Sequence, residues 1–482
     1  MSRSVHISPA PRAESAVVSI TPAAQRGEIR ALTGLRIVAA LWVVLFHFER
    51  QLAESFGARL DPVRPLISSG WLGVDLFFLL SGFVLTLNYV DRLGGRFRLR
   101  ASVSFLWGRL ARIWPLYAVL STVMTCWILI AGWNAPWPVE DRPVVTAAGF
   151  LEQLALVQMW HRMFYPPSSY LPPGWSLSVE LLAYASFPLV VLVLWRARNA
   201  PPALLAAFAV SAMVPLAVYG YVEGLSMHDV PWPLRIAGAF LSGGLTSLFV
   251  RRVRGSAGAL GWAPTVAVLC IVELTVVVYW TGAQLQSGNA DRSVIAVVVF
   301  PLLVGALALS DRGPAAVLSR EVFVLGGRIS FALYLVHWLF LDVQFWLQEH
   351  VAVLRPGSAT LALLQAHLVL GALVSSYLLW RFVEEPGRKF LLRLDPGRAV
   401  RPTSAVIADA RPALPGPHTS RPSLPQIRPV RSTHPDTVEP PLPRPADSRP
   451  RRPAISTEDL ARTLRTAPVH DPSAQQQRIG TR

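Results

Sequence analysis

Residues 32–47 read LTGLRIVAALWVVLFH. This apolar run contains one arginine, Arg36, and ends at a histidine, His47. With its flanking residues the run covers roughly 31–49, about the length that a helix needs to cross a bilayer. Arg36 and His47 are eleven residues apart, which places them about 16 Å apart along one face of a helix. Ionisable residues inside a membrane span are costly, so we regard both as candidates for function.

Similar apolar blocks recur along the chain. Hydrophobic residues make up 52% of the 482 residues and charged residues only 15%, whereas soluble domains carry about 25% charged residues. We therefore predict an all-α integral membrane protein with about ten transmembrane helices and a disordered C-terminal tail. The predicted spans are 31–49, 70–90, 112–133, 174–195, 201–221, 232–250, 260–280, 293–311, 321–343 and 359–382. The connection 134–173 holds an apolar stretch near 147–160 that is too short to span easily.

Polar segments flank the predicted membrane domain, 29–390. Residues 1–28 lack an apolar signal core and are predicted to be a disordered cytoplasmic N-terminus. Seventeen of the 41 prolines lie in the last 90 residues, so 391–482 are predicted to be a disordered cytoplasmic tail rich in Pro and Arg. A proline-recognition protein is a possible partner of this tail, but plain disorder is favoured. The net charge of +16 is concentrated in the tail and in loops, so we expect no nucleic-acid partner.

The distribution of arginine predicts the orientation. The loops after spans two, four, six and eight are richer in arginine than the opposite loops. By the positive-inside rule they are cytoplasmic, which predicts a multi-pass protein of the cell membrane with both termini in the cytoplasm. Four ionisable residues then lie towards the outer side, namely His47, Asp75, Glu180 and His337. Four arginines lie towards the cytoplasm, namely Arg36, Arg109, Arg112 and Arg328.

These two groups suit the two halves of a group-transfer reaction. A histidine oriented by a carboxylate can deprotonate a hydroxyl, and arginines bind the phosphates of a cytosolic donor. Plainer interpretations stay open. Arg36 could extend to lipid phosphates, Arg109 and Arg112 could be membrane anchors, and His47 could be an ordinary interfacial histidine. For Ser81 and the glycine after it, helix packing is favoured.

Five motifs, taken as an ordered set, resemble the acyltransferase 3 family of membrane acyltransferases over residues 29–390. They are Arg36-x10-His47, GVDLFFLLSGF at 73–83, Arg-x-x-Arg at 109–112, WSLSVE at 175–180 and ISFALYLVH at 329–337. The chain departs from common family residues at Thr33, Ile37, Phe331, Leu339 and Glu385. None of these departures removes a proposed catalytic group.

The resemblance implies an O-acyltransferase that moves an acyl group, often acetyl, from acyl-coenzyme A to a hydroxyl of a carbohydrate, glycolipid or glycosylated metabolite. No metal is expected, and no hydrolase domain of the kind that some members add, so the stand-alone form is expected. The site residues implied are catalytic (His47, Glu180, Asp75), donor-binding (Arg36, Arg109, Arg112, Arg328) and substrate-binding (Ser81, Trp175, Tyr334, His337).

Two other functions are compatible with ten spans. A transporter would suit buried charges, but transporters often contain internal repeats, and the first-span motif has no counterpart in the second half of the chain. A membrane scaffold would act through the proline-rich tail, so deleting 395–482 would abolish its function and leave an enzyme active. Release of coenzyme A on adding an acceptor would separate an enzyme from a transporter.

Overall fold

The computed structural model describes residues 28–134, 142–161, 169–223, 231–286 and 291–397. Within these ranges every regular element is a helix, as a bilayer requires of a chain that must satisfy its own backbone hydrogen bonds. Most of the predicted N-terminal segment, 1–28, and of the predicted tail, 391–482, lies outside the described residues.

The described α-helices are, in chain order, α1 (Arg30–His47), α2 (Glu49–Phe56), α3 (Arg64–Ser68), α4 (Gly73–Leu93), α5 (Leu99–Ala131), α6 (Ala147–Ala155), α7 (Gly174–Ala197), α8 (Pro202–Ser211), α9 (Val214–Glu223), α10 (Trp232–Val253), α11 (Ala257–Gln286), α12 (Phe300–Leu309), α13 (Pro314–Leu318), α14 (Glu321–His350), α15 (Ala359–Leu379) and α16 (Glu385–Arg393). Nine helical segments of the described residues are long and apolar enough to cross a membrane. The predicted all-α membrane fold is confirmed. The apolar stretch near 147–160 forms only the short helix α6.

Two predicted spans depart from a single α-helix over much of their length. The span at 293–311 begins as a 3₁₀ helix, Ser293–Val299, and continues as α12. Because a 3₁₀ helix rises about 2.0 Å per residue, these 17 residues extend roughly 29 Å, close to the thickness of a bilayer core. The span at 201–221 is divided into α8 and α9, and the break precedes Pro215, which cannot donate a helical hydrogen bond.

Helix α1 packs tightly between α14 and α4. A Cβ atom at Gly327 of α14 would collide with the backbone carbonyl of Thr33, and one at Gly34 with the carbonyl of Leu318. Small residues at these points let the helix backbones approach each other closely. The start of the helix that carries Arg36 and His47 is therefore held close to α13 and α14.

Helices α4 and α10 also cross in close contact. A Cβ atom at Gly82 would collide with the carbonyl oxygen of Phe240, and one at Gly243 with the carbonyl oxygen of Leu79. The glycine after Ser81 therefore serves helix packing, as the sequence indicated.

Replacing Gly82 or Gly243 with alanine should destabilise the protein, because the added methyl group has no room at this crossing. Overpacking of this kind costs roughly 1–3 kcal/mol. We expect a lower midpoint of thermal unfolding in detergent for Gly82→Ala and for Gly243→Ala. The matched control is Gly261→Ala in α11, where a Cβ meets no atom within 4 Å, and its midpoint should stay the same or rise slightly. Equal midpoints for all three variants would contradict the close crossing.

Candidate active site

A buried ion pair joins α4 to α10. Asp75 accepts two hydrogen bonds from Arg235, one at Oδ1 from Nε at 3.0 Å and one at Oδ2 from Nη2 at 2.7 Å. The side chains of Arg235 and Asp75 are 1% and 0% exposed. The rings of Trp71 and Trp175 lie 5.1 and 5.2 Å from the guanidinium carbon. This enclosure pairs two charges that would each be costly alone inside a membrane.

A cavity of about 380 Å³ lies among α1, α4, α5, α7, α14 and α16. We call it the arginine cavity, because the four arginines predicted to bind the donor all line it: Arg36, Arg109, Arg112 and Arg328. The buried Nε atoms of Arg36 and Arg109 have no hydrogen-bond partner within the described part of the chain. Unpaired guanidinium donors in an enclosed space suit a phosphate group, which several N–H groups can bind at once.

The carboxylate of Glu180 in α7 also lines the arginine cavity. Tyr184, one turn further along α7, donates a hydrogen bond to Glu180 Oε1, and Ser81 donates one to the Tyr184 hydroxyl at 3.3 Å. Glu180 lies six residues after the start of α7, about 9 Å along the helix. The structure therefore places it beside Arg36 rather than with the outer group to which the sequence assigned it.

A second carboxylate reaches the arginines from the end of the chain's last described span. Between α15 and α16 the helix widens into a π-helical turn, Trp380–Glu384. Glu384 is 2% exposed, and its charge interacts with Arg36 and Arg112. Its Oε2 has no hydrogen-bond partner within the described residues. π-Turns occur frequently at functional sites, and this one brings an acidic group to the arginine cavity.

His47, at the end of α1, forms a pair with His337 of α14. Nδ1 of His47 lies 3.1 Å from Nε2 of His337, and Nδ1 of His337 lies 3.2 Å from the carbonyl oxygen of Leu333. A carbonyl can only accept, so Nδ1 of His337 carries a proton. With both rings neutral, Nε2 of His337 accepts from Nδ1 of His47, which leaves the lone pair on Nε2 of His47. The pair thus fixes the tautomer in which His47 can take a proton.

His47 lines a pocket of about 620 Å³ at its end of α1, which we call the histidine pocket. The other residues that line it are Phe46, Glu49, Arg50, Ala53, Glu54 and Arg64. Trp338 packs edge-on against the His47 ring at 5.1 Å. His47 therefore borders a pocket whose charged side chains can form hydrogen bonds with hydroxyl groups. Arg36, on the same helix, borders the arginine cavity.

A row of aromatic contacts connects the arginine cavity to the histidine pair. The Arg36 guanidinium lies 5.6 Å from the centre of the Phe77 ring, which lies 6.0 Å from the Tyr334 ring. The Tyr334 ring lies 6.2 Å from that of His337. A hydrogen bond of 2.8 Å between the hydroxyls of Tyr334 and Ser176 fixes the ring.

The structure brings together most, but not all, of the residues that the sequence selected. Six of them line the arginine cavity: Arg36, Ser81, Arg109, Arg112, Glu180 and Arg328. His47 and His337 form the histidine pair, with Tyr334 beside it. Asp75 and Trp175 contact Arg235 instead. Glu180 or Asp75 was the expected carboxylate to orient the His47 imidazole or the acceptor, and both carboxylate oxygens of Asp75 are bound by Arg235. The described residues contain no group of three or more His, Cys, Asp or Glu side chains that could hold a metal ion.

Three residues that form the site or hold its helices in place were not predicted from the sequence: Arg235, Tyr184 and Glu384. Arg235 is an ionisable residue inside the predicted span 232–250, so the rule that selected Arg36 would also have found it. Tyr184 lies four residues after Glu180, a spacing that places both on one helix face. No sequence signal marks the π-turn that carries Glu384, because Trp380–Glu384 contains neither the proline nor the glycine that commonly marks an irregular helix.

Replacing Asp75 with asparagine should strongly destabilise the protein, because Arg235 would stay buried without its counter-charge. Removing one partner of a buried ion pair costs roughly 3–5 kcal/mol. The control is Asp91→Asn, which breaks the exposed pair of Asp91 and Arg251, 2.8 Å apart, and should cost at most about 1 kcal/mol. Denaturant unfolding of both variants in one detergent measures the difference, and equal losses would show that the buried pair contributes no more than the exposed one.

Comparison with known proteins gives a family match and three informative relatives. The family model described as an acyltransferase domain matches residues 29–381. Acyltransferase MdmB of Streptomyces mycarofaciens is 28% identical over 398 residues, which cover 76% of this chain and 93% of that protein. Protein 2 in picA locus of Rhizobium radiobacter is 33% identical over 196 residues, 38% of this chain and 90% of that protein. A protein of Staphylococcus aureus (strain COL), whose name gives O-acetyltransferase as a provisional activity, is 26% identical over 178 residues, 34% of this chain and 25% of that protein.

No solved structure matches the chain. The family match covers most of the sequence, and its range agrees with the region over which the five motifs occur. The motifs also meet in the fold, since Arg36, Arg112 and Glu180 line one cavity. The chain therefore belongs to the acyltransferase 3 family, and it is a multi-pass membrane acyltransferase.

Proposed function

We propose that the protein transfers an acyl group, with acetyl as the expected case, from cytosolic acyl-coenzyme A to a hydroxyl of a carbohydrate or glycosylated acceptor. The observation that carries this proposal is the division of α1 between two sites. Arg36 borders the arginine cavity and His47 borders the histidine pocket, about 16 Å further along the helix. The O-acetyltransferase named among the relatives supports a hydroxyl as the accepting group.

The arginine cavity suits the diphosphate of coenzyme A. Arg36 and Arg112 repel each other, while Glu180 and Glu384 offset part of that repulsion. Arg388, the fifth arginine of the cavity, pairs with Glu385. The other four outnumber the nearby carboxylates of Glu28, Glu180 and Glu384, so an excess of positive charge remains. Within the described residues, the buried Nε donors of Arg36 and Arg109 also have no hydrogen-bond partner. A diphosphate would supply both the negative charge and the hydrogen-bond acceptors.

The pantetheine arm of the donor is thin and can follow the aromatic row. In this proposal it extends from the arginine cavity past Phe77 and Tyr334, whose rings lie between Arg36 and His337. The arm then presents its thioester at His47. The length of α1 between Arg36 and His47 sets how far the reacting carbon lies from the phosphates.

At the thioester, His47 acts as the general base. Its Nε2 takes the proton of the acceptor hydroxyl, the oxygen forms a bond to the acyl carbon, and the carbon–sulfur bond breaks. His47 then returns the proton to the sulfur, so that free coenzyme A leaves as the thiol. His337 is a positioning residue in this scheme, because its hydrogen bond to Nδ1 holds the reactive tautomer of His47.

The acceptor binds in the histidine pocket. Its rim carries both charge signs, from Glu49, Arg50, Glu54 and Arg64, and such groups donate and accept hydrogen bonds with hydroxyls. Arg50 and Glu54 pair at 3.1 Å, as do Arg64 and Glu49 at 3.0 Å. A sugar-like acceptor rich in hydroxyls fits this rim better than an apolar one would.

Replacing His47 with alanine should lower acyl transfer by roughly 10²–10⁴-fold, the usual contribution of a general base, and leave the affinity for coenzyme A unchanged. Transfer is measured as free thiol released from acetyl-coenzyme A when an acceptor-containing cell extract is added to purified protein. The control is His367→Ala on α15, whose imidazole is exposed and bonds the Leu363 carbonyl of its own helix. This variant should transfer normally.

Near-normal transfer by His47→Ala would assign the base to another residue. If the unmodified protein releases no thiol with any extract, the donor is not acyl-coenzyme A. Mass spectrometry of lipids, glycans and secreted metabolites from cells with and without the protein then identifies the acceptor, as the molecule that loses one acyl group when the protein is absent.

A further inference from the structure

A second basic cavity adjoins the arginine cavity. It measures about 560 Å³ and lies between the end of α4 and the start of α5. We call it the basic cleft, since Arg92, Arg98 and Arg100 line it. The acidic residue that lines it, Asp91, already pairs with Arg251 at 2.8 Å. The cleft therefore carries more positive charge than its own carboxylate can neutralise.

Within the described part of the chain, the three arginines of the basic cleft form no ion pair. Among the described residues, the ion pairs within 4.0 Å involve other cations, at Arg30, Arg50, Arg64, Arg235, Arg251, Arg312, Arg388 and Lys389. Three guanidinium groups facing one space suit a phosphate monoester, which bears nearly two negative charges and three acceptor oxygens.

A single side chain, Tyr89, connects the two cavities. Arg109 of the arginine cavity donates to the Tyr89 hydroxyl at 3.4 Å and lies 5.6 Å from the centre of its ring. Arg92 of the basic cleft lies 5.7 Å from the same ring. Because both guanidinium carbons lie within 5.7 Å of the centre of one ring, phosphates bound by Arg92 and by Arg109 would lie close to each other. Coenzyme A carries two phosphate groups close together, because its diphosphate and its 3′-phosphate are attached to one ribose.

We propose that the basic cleft binds the 3′-phosphate of the coenzyme A adenosine while the arginine cavity binds its diphosphate, an inference that rests on the proposed donor. The cleft then acts as a specificity site that distinguishes coenzyme A from donors without the 3′-phosphate. The phosphate of a lipid headgroup shares the chemistry, but as a diester it carries one negative charge and would engage the three arginines less completely.

The test measures the affinity of the full-length protein, held in nanodiscs, for coenzyme A and for 3′-dephospho-coenzyme A by calorimetry. The unmodified protein should bind coenzyme A at least tenfold more tightly. In the Arg98→Ala/Arg100→Ala variant that preference should disappear, through weaker binding of coenzyme A and unchanged binding of the dephospho form. Arg96→Ala, a neighbouring exposed arginine that does not line the cleft, should keep the preference. Arg112→Ala should weaken both ligands alike.

Each result decides the matter. Equal affinity of the unmodified protein for the two ligands overturns the 3′-phosphate site and leaves the donor proposal intact. Absence of binding by either ligand overturns both. A preference that the double variant retains would reject the site. Nanodiscs of phosphatidylcholine alone and of phosphatidylcholine with phosphatidylglycerol separate the two phosphate sources: if the unmodified protein shows no preference in either lipid, the arginines are left to headgroups and the site is rejected.

Discussion

The rest of the membrane domain depends on the buried ion pair between Asp75 and Arg235. Neither charge tolerates a membrane interior alone, so α4 and α10 must meet before either can be buried. The glycines at their crossing permit that contact, and Trp175 brings the start of α7 onto the same guanidinium. Ser81 and Glu180 are carried by α4 and α7, so the alignment of one ion pair also aligns the polar side chains of the arginine cavity.

The sequence alone predicted two kinds of feature: the apolar blocks that recur along the chain, and the charged residues that are rare inside such blocks. The long apolar blocks predicted the helical membrane fold, because few other structures satisfy the backbone in a bilayer. Arg36, Arg109, Arg112 and Arg328 were selected as polar residues in or beside spans, and they do line one cavity. The position of a residue along a straight helix follows from its number, because each residue advances the helix by the same distance.

Contacts between helices required the structure, because they depend on how each helix is rotated about its axis. Asp75 was expected near His47 from its depth, but it faces Arg235. Glu180 was expected with the outer residues, but it faces the arginines. His337 was expected to bind substrate, and it meets the His47 ring. For Asp75 and His337 the direction of the side chain was unknown, whereas for Glu180 the depth also differed, because it lies six residues into α7.

The π-turn at Trp380–Glu384 has a consequence for how this part of the chain can vary. A π-turn accommodates one more residue than the α-helical turn it replaces. Because the wider turn absorbs its extra residue, deleting one residue would restore a continuous α-helix and leave α16, with Arg388 at the arginine cavity, facing nearly the same way. The deletion would instead remove the widening that carries Glu384, whose charge interacts with Arg36 and Arg112. The turn therefore lets the chain hold one additional residue beside the cavity without changing the direction in which the following helix faces.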